Sequence, residues 1–246
     1  MLDGLKTALV NTLYPPRCLA CTAATDQPHG LCPACWRDTH FISGTRCGKC
    51  GVPLVGDAGA EDVCESCQRH PPAWDRGAAA VLYAGAGRRV VLALKHGDRL
   101  DMVRPLATWM AAAGSELLAE ADVVAPVPLH WRRLLQRRYN QSAELARRLG
   151  RISGRHCVLD LLVRRRATVP QEAMTRTARA ANQAGAFAVA PRHGAAVAGK
   201  AVLLIDDVLT SGATLSACAD CLRAAGAARV DVLALARVAF EDSLGL

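Results

Sequence analysis

The sequence is poor in aromatic side chains: three phenylalanines, three tyrosines and four tryptophans make up 4% of 246 residues. So few rings make a broad base-stacking platform hard to build. There is also no apolar stretch long enough to cross a bilayer, so membrane insertion is not expected. The first residues hold no long apolar core and no cleavage-like site before Cys18, which argues against a leader peptide and for the cytoplasm. Instead, Leu2, Leu5, Leu9 and Leu13 fall at helical spacing and read as a short amphipathic helix packed on the protein itself. Twelve prolines and 20 glycines are too few for a low-complexity chain. With 51% hydrophobic residues, the chain can bury one large core and support a second, smaller domain.

Charge is unevenly spread. Residues 1–75 carry 6 Lys/Arg against 8 Asp/Glu, a balance of −2, whereas residues 76–246 carry 24 against 14, a balance of +10. Residues 121–182 alone hold 13 basic and 4 acidic residues. That excess of nine suits a phosphorylated small molecule or a nucleic acid, and equally a solvated arginine-rich face.

Cysteine is abundant at one end. Eight of the 11 cysteines form four CxxC pairs, Cys18/Cys21, Cys32/Cys35, Cys47/Cys50 and Cys64/Cys67, separated by 10, 11 and 13 residues. A CxxC turn aims two thiolates at one centre, and two such turns complete the tetrahedral sulfur set that zinc prefers. Four pairs make two structural zinc sites. The spacing allows a sequential pairing (first pair with second) or an interleaved one (first with third). Disulfides need an oxidising compartment, which the missing leader disfavours. Closed tetrathiolate sites offer no open coordination position for catalysis, but each contributes on the order of 10 kcal/mol to folding. Cys218 and Cys221 form a fifth CxxC inside a predicted helix and read, like Cys157, as small core residues.

Pro71 and Pro72 stiffen the connector that follows, and from Ala78 apolar runs alternate with amphipathic helices. Strands are predicted at 80–83, 123–127, 158–163, 186–190, 202–206 and 230–236, with helices at 88–94, 101–119, 141–149 and 214–225. This is an α/β pattern with a mostly parallel sheet, in which ligands sit past the carboxyl ends of strands. The segments after Val127, Val163 and Asp206 are thus the places to look for chemistry.

Residues 202–215 read VLLIDDVLTSGATL: a buried strand, two acids, a loop of small residues, then a helix. Thr210, Ser211, Gly212, Ala213 and Thr214 offer hydroxyls and backbone N–H groups at a helix amino terminus, a ready phosphate cradle. Asp206 and Asp207 would repel that phosphate and must face another group; vicinal ribose hydroxyls, which donate to carboxylates, suit them. Gly194–Lys200 (GAAVAGK) spells part of a Walker A loop, but Ala201 replaces the required Ser/Thr and a strand follows where a helix should.

The 202–215 segment resembles the 5-phosphoribosyl-1-pyrophosphate (PRPP) motif of type I phosphoribosyltransferases. Together with VPL…RR…NQ in residues 127–141, LKHGD at 94–98 and the four cysteine pairs, the chain resembles the ComF/GntX family from about Tyr14 to Phe240. These proteins place a double zinc ribbon before a phosphoribosyltransferase-like domain. The resemblance implies residues 1–75 as an amino-terminal helix and double zinc ribbon and 76–246 as the transferase-like part. It implies ribose contacts from Asp206 and Asp207, 5′-phosphate contacts from residues 210–214, and magnesium bound with PRPP. Arg137 and Arg138 would face pyrophosphate, with Arg137-Arg138-Tyr139 standing where the family usually shows Arg-Gly-Phe. Residues 164–182 would form a flexible loop carrying Arg164, Arg165 and Arg176. The implied reaction is displacement of pyrophosphate by a nitrogen nucleophile. The family's link to competence and DNA uptake implies two non-catalytic alternatives: an adaptor for single-stranded DNA or DNA-uptake proteins, and a PRPP-sensing regulator. Nothing in the sequence marks the acceptor base.

Overall fold

The computed structural model describes residues 15–26, 28–54, 62–96, 99–129, 139–166 and 185–239. The expected amino-terminal helix lies outside them. The sheet is built from β1 (Gly77–Leu82), β2 (Val123–Pro126), β3 (His156–Cys157), β6 (Ala201–Leu209) and β7 (Arg229–Arg237), in the order β1-β7-β6-β2-β3. All four pairings are parallel. A parallel sheet is covered on both faces, and the residues of β6 show how. Val202 and Leu204 point to one layer and Leu203 and Ile205 to the other, all four with 1% exposure or less.

Four helices fill the second layer: α3 (Gly85–His96), α4 (Val103–Ala113), α5 (Ser115–Glu120) and α6 (Gln141–Ser153). The predicted helix over 101–119 is interrupted at Gly114, where a Cβ would come within 2.7 Å of Leu233 on the sheet. Close approach to β7 thus leaves no room for a side chain at this junction.

The first layer holds α8 (Ala213–Ala224), reached after the short α7 (Gly194–Val197), together with an antiparallel hairpin of β4 (Leu162–Arg164) and β5 (Phe187–Val189). The apolar run 158–163 is therefore not a strand of the main sheet. Val163 sits in the hairpin, exposed, and the rule about carboxyl ends of a parallel sheet does not apply after it.

Two five-residue helices, α1 (Pro33–Arg37) and α2 (Glu65–Arg69), follow Cys32 and Cys64. Between them the chain runs along the outer edge of β1: Ile42 N–H donates to Ala80 O at 2.9 Å and Leu82 N–H to His40 O at 2.8 Å. The exposed edge of the sheet is closed by this strap.

Candidate functional site

β6 carries the two acids, and two neighbouring segments converge on them. Lys95, at the end of α3, pairs with Asp207 at 3.1 Å. Ser142, in the first turn of α6, donates its hydroxyl to Asp206 Oδ1 at 3.0 Å, and the Asp207 N–H donates to the same oxygen at 2.9 Å. α6 is placed by its own cap. Asn140 Oδ1 accepts from Ser142 N–H at 3.1 Å, while Asn140 Nδ2 donates to Val127 O at 3.0 Å. Tyr139 closes the arrangement, its hydroxyl donating to Leu94 O at 2.8 Å. The LKH and NQ segments noted in the sequence thus meet at the acidic pair.

Burial, and then the neighbouring Asp207 carboxylate, push the Asp206 carboxyl up to about 7, against the opposing pull of the Asp207 N–H, Lys95 and Ser142. One member of the pair is therefore held partly protonated near neutrality, ready to ionise when donors arrive.

Beyond the acids, the loop enters α8 through Gly212, whose φ of +78° favours glycine. A Cβ there would lie 2.5 Å from Cη2 of Trp74. No side chain caps α8, and Ser211 Oγ is buried without a hydrogen-bond partner. An orphaned hydroxyl beside an uncapped twelve-residue helix fits an anion such as phosphate. Thr210 and Ser211 also line a cleft of about 830 Å³ whose other walls include His70, Trp74, Phe187 and Asp220.

The sulfur atoms form two clusters, Cys18, Cys21, Cys32 and Cys35, and Cys47, Cys50, Cys64 and Cys67, with ligand atoms in each within 4.8 Å of one another. The pairing is sequential. The Sγ atoms of Cys21 and Cys32, and those of Cys50 and Cys64, are 3.7 Å apart. Zinc–sulfur bonds of about 2.3 Å set a tetrahedral edge of nearly this length. Backbone N–H groups of Cys32 and Cys64 point at Cys18 Sγ and Cys47 Sγ, each at 3.3 Å, as thiolate acceptors require. In the second cluster, contacts among the thiols drive Cys47 far below the ordinary thiol range and Cys67 far above it. Four sulfurs this close need a cation between them to ionise together.

Of the arginines expected near pyrophosphate, Arg137, Arg138 and Arg176 lie outside the described residues. Arg164 stacks 5.1 Å from the Phe187 ring centroid, and Arg165 is exposed, its N–H bonded to Ala186 O at 2.8 Å. Three contributors were missed from the sequence as site residues: Lys95, Ser142 and Trp74. Lys95 and Ser142 sit inside segments noted only for resemblance; nothing local marks Trp74.

Residues 9–69 match the model of the double zinc ribbon domain, and residues 142–240 that of the phosphoribosyl transferase domain. A protein of this class joins a double zinc ribbon to a phosphoribosyltransferase-like α/β domain. Over 231 residues the chain is 31% identical to DNA utilization protein YhgH of Escherichia coli K12, covering 91% of this chain and 97% of that protein. It is 27% identical over 227 residues to Competence protein F of Haemophilus influenzae, covering 90% and 96%. The chain belongs to the ComF/GntX family. A solved structure of the allosteric regulatory enzyme of purine biosynthesis covers 58% of this chain and 30% of its own, with 22% identity and a TM-score of 0.40. Among the described residues, no helix is long and apolar enough to cross a membrane.

Proposed function

We propose that this protein binds PRPP or a closely related 5-phosphoribosyl ligand in the cytoplasm and transfers the phosphoribosyl group to a nitrogen acceptor, as the transferase-like part (residues 76–246) of a chain linked to DNA uptake. The observation that carries the reading is the junction of β6 and α8: a hydrogen-bonded acid pair, then an uncapped helix start with a buried, unsatisfied hydroxyl. Asp206 and Asp207 accept from the ribose hydroxyls, Ser142 and Lys95 orient the two carboxylates, and residues 210–214 hold the 5′-phosphate. A magnesium ion brought in with the pyrophosphate would neutralise charge on the leaving group. Arg137, Arg138, Arg164, Arg165 and Arg176 are the further candidates for that charge.

Calorimetric titration of magnesium and PRPP into the zinc-loaded protein tests this. Saturable binding that disappears in the Asp206→Asn/Asp207→Asn variant is expected, and pyrophosphate release with candidate bases would then be measured. An intact protein that takes up no PRPP would rule the reading out.

The relatives named for DNA utilization and competence favour a second reading, an adaptor for single-stranded DNA or DNA-uptake proteins, with PRPP sensing as its regulatory variant. A groove of about 210 Å³ between α4 and α6, lined by Arg104, Arg147, Arg148 and Arg151 beside a single acid, Glu144, which pairs with Arg147, supplies net positive charge for it. Single-strand affinity that falls steeply with salt supports this reading, and salt-independent binding opposes it.

A further inference from the structure

The two sulfur tetrads are not equivalent in what they touch. The second is built into the layer of core that carries α8, and two side chains connect it to the phosphate loop. Arg237, at the end of β7, is 5% exposed. Its Nη2 donates to Cys50 Sγ at 3.7 Å, and its Nη1 donates to Leu209 O at 3.2 Å, Thr210 O at 2.9 Å and Val238 O. No carboxylate of the described residues lies within ion-pair distance of it, and among those residues the Cys50 sulfur is the group it meets that can carry negative charge. Four thiolates around one divalent zinc carry a net −2, which supplies that charge. Trp74 makes the second link. Its Nε1–H donates at 2.6 Å to Lys49 O, inside the Cys47/Cys50 knuckle, and its ring lies against Gly212.

We propose that Arg237 and Trp74 are positioning residues that make the conformation of residues 209–214 depend on zinc in the second tetrad. With the ion bound, the anionic cluster holds the Arg237 guanidinium where it fixes the Leu209 and Thr210 carbonyls, and the knuckle holds Trp74 over Gly212. Without the ion, the buried guanidinium loses its partner, and the carbonyls and Gly212 lose both constraints. The consequence for ligand affinity rests on the phosphoribosyl reading above; the coupling of loop to metal does not.

Hydrogen exchange over residues 209–215, read on the full chain both zinc-loaded and after chelation of its zinc, tests the coupling: chelation should speed exchange in the unaltered chain and add little in Arg237→Gln, and a chelation effect equal in both would overturn it. Arg237→Gln should speed exchange there about tenfold or more, and Trp74→Phe, which keeps a ring but loses the N–H, by a smaller factor. Zinc release should still report two ions per chain in both variants. Arg89→Gln removes the corresponding guanidinium contact to Cys35 Sγ in the first tetrad, at 3.6 Å, and should leave the loop unchanged. Loop exchange unaltered in Arg237→Gln and Trp74→Phe, or accelerated equally by Arg89→Gln, would overturn the proposal. Should Arg237→Gln fail to fold, Arg237→Lys keeps the buried charge while losing the forked donors, and is read by the same criterion. In parallel, PRPP affinity should fall about tenfold in Arg237→Gln at full zinc content. If the intact protein binds no PRPP, the ligand reading fails and loop exchange alone decides the coupling.

Discussion

The two tetrads share a ligand set and differ in surroundings. In the first, Cys21 is exposed and Cys32 half-buried, and the cluster leans on the start of α3 through Arg89, which also pairs with Asp38 at 2.8 Å. In the second, all four cysteines are buried and belong to the same apolar cluster as Val202, Leu204 and Leu222. Identical coordination chemistry can therefore serve as a peripheral clip or as part of a domain core. The difference lies in what the intervening residues pack against.

Mutating one ligand in each tetrad tests that contrast most severely. Cys47→Ser should remove most of the roughly 5–15 kcal/mol of stability a domain of this size has, leaving little cooperative unfolding by circular dichroism. Cys21→Ser should loosen the first ion, seen as faster capture by a chromogenic chelator, while the sheet still melts cooperatively.

The acid pair sharpens the comparison from the ligand side. The folded value of Asp206 lies above its ordinary one, so the stability linked to it is complete below pH about 4 and is lost as pH rises through about 7. Asp206→Asn should thus stabilise the ligand-free protein at pH 8, by at most about 4 kcal/mol, with the gain vanishing near pH 4 in denaturant titrations. Gly212→Ala should cost about 2 kcal/mol, since the left-handed backbone and the Trp74 ring both oppose a Cβ. The smallest effect belongs to Arg89→Gln: its exposed pair with Asp38 predicts a loss of about 0–1 kcal/mol, measurable by thermal unfolding.

Much of this was legible from residue order. The four CxxC pairs announced two metal sites because a knuckle is a local device, and 202–215 announced a strand, an acid pair and a helix start because each is contiguous. What depended on the third dimension was hidden. The spacing of the pairs did not choose between sequential and interleaved tetrads. The run 158–163 looked like a sheet strand, yet its apolar residues serve an antiparallel hairpin over α8. Gly114 inside 101–119 gave no sign of the Leu233 side chain packed against it. Lys95 and Ser142 reach the acids from 112 and 64 residues upstream, across a fold that periodicity alone does not assemble.

Arg237 reaches Cys50 across 187 residues of chain. The second metal site is therefore sealed by one of the last strands to be synthesised, long after its four ligands have left the ribosome. Once β7 has docked, exchange of the metal must wait for a large opening of the sheet. The first ion, with an exposed ligand in Cys21, is thus expected to exchange faster than the second, which uptake of isotopically labelled zinc by the folded protein would read.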